Sequence, residues 1–133
     1  MVMKRVLIFL LLSLPFLRFH AQCIIDYSYT QPGIYPDPLP TAYAGQAYNQ
    51  DVTFVMPLDT MGATIQNFEI ISVGLPVGLS WLCDNAANGC NYNPQNNQYG
   101  CINVYGTPLV SGQYDVEVSV LVDVTSSGQT IDN

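Results

Sequence analysis

The sequence predicts an all-β sandwich of about six to eight antiparallel strands, and three observations carry that expectation. From Tyr114 onward the chain alternates strictly. Tyr114, Val116, Val118, Val120, Val122 and Val124 fall on one face, and Asp115, Glu117, Ser119 and Asp123 on the other, with Leu121 the one apolar exception. A period of two describes a half-buried strand. β-Branched and aromatic residues dominate elsewhere, and Gly or Pro recurs about every ten residues, which disfavours helices. Residues 74–122 hold three of the four cysteines and the single tryptophan in a strand, loop, strand, turn, strand pattern.

Residues 1–21 read as a signal peptide. Lys4 and Arg5 form a positive start, residues 6–14 are apolar apart from Ser13, and Ala21 offers a small residue for cleavage. The run is too short to span a bilayer and has the build of a secretory signal. The expected mature chain is secreted, extracellular or on the cell surface, with no membrane span after cleavage. All three basic residues (Lys4, Arg5, Arg18) and the only histidine, His20, lie in this segment, whereas all ten acidic residues lie beyond it. The mature charge is therefore near −10. Without Lys or Arg a nucleic-acid partner is excluded, and anionic membranes are disfavoured for the same reason.

Roughly 112 mature residues make one domain. Residues 22–125 are assigned to it and 126–133 to the start of a linker. Residues 24–29 are expected to form a short edge strand. Pro32, Pro36, Pro38 and Pro40 then predict an extended, polyproline-like crossover without ladder pairing. Residues 48–56 alternate, with Val52, Phe54 and Met56 on one face and Asp51, Thr53 and Val55 on the other, until Pro57 stops them. Residues 65–73 form the next strand, with Phe68 and Ile70 on one face. The apolar pair Ile70–Ile71 predicts a central position or a bulge. Gly74 and Gly78 frame a turn into a strand over 79–83, because both tolerate positive φ. Residues 84–100 have no strand pattern and make an Asn-rich loop longer than ordinary connections. Residues 102–105 return as a strand, and 111–113 turn into the last one.

The pieces GLPVGLSWL, GCINVYGTP and SGQYDVEVSV resemble the cadherin-like Ig domain family. The opening CIIDYSYTQPGIYPDPLPTAYAGQAY is similar to the N-terminal module of bacterial surface proteins that carry a type IX secretion sorting domain. The resemblance implies an Ig-like sandwich, exported and without catalytic residues. No sorting domain follows residue 125, so the chain is expected to be the front of a longer polypeptide, with the other domains as partners.

Four cysteines in an exported chain point to disulfides. Zinc is disfavoured, since Cys83 and Cys90 fit no common zinc spacing and no histidine completes a site. With Leu79, Trp81 and Val104 inward, Cys83 points inward and Cys101 outward, and residues opposite each other in a ladder share a face. This predicts Cys83–Cys90 and Cys23–Cys101. A bulge in either strand would favour Cys83–Cys101 with Cys23–Cys90 instead.

Other side chains suggest chemistry. Calcium is a candidate ligand of Asp84, Asn85 and Asn88, which offer hard oxygens within one loop. Glycan binding is the alternative function, with Tyr92 and Tyr99 offering stacking faces and Asn93 and Asn97 bonding hydroxyls, beside Trp81 and Tyr105. A surface protein is the other candidate partner. Asp59-Thr60-Met61 resembles the O-glycosylation signal of such secreted proteins, which marks Thr60. Without His or Lys, a Ser or Cys nucleophile lacks its usual base. Asp115 and Glu117 share a strand face and could form a carboxylate pair of the glycoside-hydrolysis kind, but read more simply as solvated residues on an exposed face. The expectation is a non-enzymatic structural or adhesive module.

Overall fold

The structure, a computed structural model, describes residues 22–126 and 129–131. The expected signal peptide over 1–21 lies outside the described residues. Two antiparallel sheets form an all-β sandwich. One sheet contains β1 (Gly33–Tyr35), β2 (Tyr48–Val55), β5 (Leu79–Cys83) and β7 (Tyr99–Gly106), in the order β1-β2-β7-β5. The other contains β3 (Asp59–Thr60), β4 (Ala63–Gly74), β6 (Asn91–Tyr92), β8 (Glu117–Ser126) and β9 (Gln129–Ile131), in the order β3-β4-β8-β9 with β6 also on β4. Since β8 occupies one edge of β4, β3 and β6 share the other.

The inward face of β2 is Val52, Phe54 and Met56, as its alternation requires, and all three are buried. Thr53 and Val55 on the opposite face are buried too. The N-terminal segment covers that face: the Ile24 amide donates to the Asp51 carboxylate and the Asp26 amide to Thr53 Oγ1. Residues 24–29 therefore lie against the sheet through side-chain bonds and are not the edge strand expected. The edge strand is β1, set among the prolines where no ladder was expected. Pro32 precedes it, and an edge strand tolerates proline at its start.

β4 carries two register shifts against β8, between Ile65 and Asn67 and between Ile70 and Ser72. Each lets an extra residue bulge out, so Ile65, Ile70 and Val73 stay buried while Ile71 is exposed. The doubled apolar pair at Ile70–Ile71 is thus a bulge, and β8 itself runs without interruption. Val118, Val120, Val122 and Val124 lie across from Val73, Ile70, Phe68 and Ile65, which places the valine series on the inner face. The strand starts at Glu117 because its partner β4 ends at Gly74, leaving Tyr114 and Val116 without a ladder. β9 pairs with β8 within the stretch read as the start of a linker, so residues 129–131 extend the sheet.

Gly78 takes a positive φ of 99° at the turn into β5, and a Cβ there would meet the Thr107 carbonyl; Gly74 lies in the strand without a positive φ. The two bridges are Cys23–Cys101 and Cys83–Cys90, each with Cα atoms 5.9 Å apart. Cys83 sits opposite Ile102 and faces the core, whereas Cys101 sits opposite Thr53 on the face covered by the N-terminus.

Candidate functional site

The Asn-rich segment between β5 and β7 is a folded plug, not an open loop. It leaves β5 through a short 3-10 turn, Ala86–Asn88, capped by Gly89 in the left-handed region. Cys90 also has a positive φ, 57°, held by its disulfide and by the hydrogen bond its amide donates to the Asn85 carbonyl. The Cys90 carbonyl then accepts from the Ile70 amide, at the β4 bulge. That contact delivers Asn91 and Tyr92 to the edge of β4 as β6, opposite Glu69 and Phe68. A strand of two residues has too little alternation to be visible in the sequence.

Tyr92 is buried at 8% exposure and meets Phe54 edge-on, ring centroids 5.0 Å apart. Its hydroxyl donates to Asp84 Oδ1 at 2.6 Å. Burial first, and then the Asp84 carboxylate, push the phenol well above the usual tyrosine range. Tyr92 therefore has no face to offer a sugar, and its place in the glycan set is corrected. Tyr99 is half-buried: its hydroxyl donates to the Tyr29 carbonyl at 2.8 Å, and Tyr27 packs edge-on against its ring. Tyr29 in turn stacks on Tyr35, with centroids 4.1 Å apart. Trp81 packs against the core from β5, and Tyr105 is exposed on β7.

The asparagines make turns. Asn93 Oδ1 accepts from the Gln95 amide and its carbonyl accepts from Asn96 and Asn97, while Asn97 Oδ1 accepts from the Tyr99 amide. The two Oδ1 bonds are Asx bonds, the local reason such residues gather in turns, and the two to the Asn93 carbonyl are backbone turn bonds. Both side chains are exposed. Three residues hold the plug down: Asn91, which sequence reasoning counted only among the oxygen donors of the calcium loop, and Gln95 and Gln98, which it passed over. Asn91 Nδ2 donates to the Asn88 and Gly89 carbonyls, and its Oδ1 accepts from Asn67. Gln95 Nε2 donates to the Leu58 and Ile65 carbonyls, and Gln98 Nε2 to Met56. Only a known fold could have assigned the bonds to Asn67, Leu58, Ile65 and Met56, because each joins residues at least 24 positions apart.

For the calcium candidates, Asp84 Oδ1 already accepts from Tyr92 and from the Cys101 amide, and Asn85 Nδ2 donates to the Asn91 carbonyl. A cation there would compete with the bonds that build the plug. Among the described residues, the grouping of metal-type donors that does come together is Cys23, Asp51 and Cys101. Both sulfurs are joined in a disulfide, so neither is the thiolate a metal needs. Thr60 is exposed at the β3–β4 hairpin, whose turn residues Met61 and Gly62 both have positive φ. Asp115 precedes β8 and Glu117 opens it, both exposed. No helix among the described residues is long and apolar enough to cross a membrane. Comparison with protein-family models, with curated proteins and with solved structures finds no match.

Proposed function

We propose that this chain is a non-enzymatic, extracellular Ig-like module, serving as a structural or adhesive unit of a larger secreted or surface protein. The observation that carries it is the Cys23–Cys101 bridge, which fastens the residues just after the signal-like segment to a central strand. Such a staple belongs to an oxidising compartment. Composition supports the same reading, because His, Lys and Arg are confined to residues 1–20 and beyond them no His or Lys remains to act as a general base. The likeness of the sequence to modules exported by type IX secretion agrees with it.

The test is a panel of glycosidase, esterase and peptidase reporters applied to the oxidised chain. The module reading expects no turnover. A turnover lost on Asp115→Asn would overturn it in favour of a carboxylate enzyme.

A carbohydrate-binding module is the second reading, moved away from Tyr92. What favours it is the surface group of Tyr27, Tyr29, Tyr35 and Tyr99, in which Tyr27 is 62% exposed. Saturable binding on a glycan array, lost on Tyr27→Ala and Tyr99→Ala, would establish it.

A further inference from the structure

The sandwich is closed on one side and open on the other. On the closed side, Cys83–Cys90 ties β5 to the segment leading into β6. On the other, β1 pairs with β2 only over Thr53–Val55, and β9 pairs with β8 only over Val124–Ser126. Among the described residues, no strand pairs with the outer edge of β8 over residues 117–123 or with that of β2 over 48–52. A cleft of about 940 Å³ runs between the sheets and meets this side at Val118, with Val52, Val73, Leu79, Ile102 and Val104 also in its lining. The core is thin here. Val120 faces inward opposite Ile70 yet is 41% exposed, and Tyr114 and Val116, which continue the same apolar alternation, are 46% and 38% exposed.

An unpaired edge beside an unfilled apolar cleft is a template for strand addition, in which main-chain bonds supply affinity and alternate side chains fill pockets. We propose that the open side receives an extended strand from a partner polypeptide, apolar at alternate positions and basic between them. It pairs antiparallel with β8, in line with β9. Its apolar side chains pack on the inner face beside Val118, Val120 and Val122 and reach the cleft at Val118. Its other side chains stand on the solvent face beside Glu117, Ser119, Leu121 and Asp123.

Charge selects the occupant. Asp115, Glu117 and Asp123 line or neighbour this edge, and residues 22–131 carry no Lys, Arg or His. A second copy would bring like charge against like charge across the new ladder, which is unfavourable, whereas basic residues there are favourable. The inference rests on the reading that the module acts by holding a partner, and supplies that partner's chemistry.

The experiment uses the oxidised chain and three synthetic peptides: KVTVKVTVK, its acidic counterpart EVTVEVTVE, and KVTVPVTVK, in which proline removes a ladder donor. Binding is measured by fluorescence anisotropy, and amide hydrogen exchange locates it. The expected result is that the basic peptide binds at least about tenfold more tightly than either control, a difference of 1.4 kcal/mol. It should also slow exchange over residues 117–123. The variant Glu117→Lys with Asp123→Lys, changed only at surface positions, should reverse the preference toward the acidic peptide. Equal binding of the three peptides, no binding, or protection elsewhere overturns the proposal. So does concentration-dependent self-association that protects 117–123, because the occupant is then a second copy. Each of these leaves the non-enzymatic reading standing, whereas turnover in the reporter panel removes that reading and leaves the edge result untouched.

Discussion

The two disulfides close loops of very different length, so removing them should cost different amounts. Cys23–Cys101 spans 78 residues of sequence and Cys83–Cys90 spans 7. In the chain-entropy model the long loop is worth about 4.5 kcal/mol at 25 °C and the short one about 2.4 kcal/mol. The comparison is well matched in burial, since each pair contains one fully enclosed member, Cys101 at 0% and Cys83 at 4% exposure. Replacing each pair by alanines therefore removes similar side-chain packing. The difference of about 2 kcal/mol then reports the loops themselves. Urea unfolding followed by the single tryptophan, Trp81, which packs against the core, measures both variants against the parent. Cys23→Ala with Cys101→Ala should lose more stability than Cys83→Ala with Cys90→Ala. Equal losses, or a larger loss from the short loop, would refute the view that the N-terminal staple is the main covalent constraint on the fold.

Two more outcomes follow from close contacts. A Cβ at Gly100 would lie 2.1 Å from Phe54 Cζ, since the ring lies over the glycine directly across the ladder. Gly100→Ala should therefore destabilise by about 1–3 kcal/mol, and Phe54→Leu in that background should cost less than it does alone, as a double-mutant cycle in urea would measure. Tyr92→Phe removes the bond to Asp84 Oδ1 and should cost about 1.5 kcal/mol at neutral pH. The Tyr92 phenol is raised in the fold, so its contribution is complete below the unfolded tyrosine pKa of about 10 and is lost as pH climbs above it. The parent should lose stability more steeply than Tyr92→Phe above that pH; parallel pH–stability curves would contradict the assignment.

What was legible in the sequence was whatever depends on a period of two. The parity of β5 and β7 placed Cys83 inside and Cys101 outside, and the structure pairs each with the partner that parity favours. The pair Ile70–Ile71 pointed to a central position or a bulge, because two adjacent residues of a regular strand cannot both face one core, and a register shift lies between Ile70 and Ser72. What escaped was set by long-range contact. Nothing local shows that Thr53 and Val55 need a cover, or that residues 24–29 supply it through Asp51 and Thr53 instead of a ladder. Tyr92 looked like a surface aromatic because its neighbours are asparagines, yet those asparagines build the turns that bury it. Phe54 over Gly100 was equally hidden, since the two are joined only by register. The alternation from Tyr114 correctly identified the inner face but not where the strand begins, which depends on the length of β4.

The central claim is an exported, disulfide-stapled module, and its most direct test is the covalent state of the chain made by living cells. The full-length chain, expressed in a bacterium, is fractionated, alkylated without reduction and mapped with chymotrypsin, because the region beyond Arg18 has no tryptic site. The account predicts protein outside the cytoplasm that begins near Gln22, resists alkylation, and yields linked peptides containing Cys23 with Cys101 and Cys83 with Cys90. Uncut chain in the cytoplasm with alkylated cysteines, or a linked pair containing Cys83 and Cys101, would contradict it.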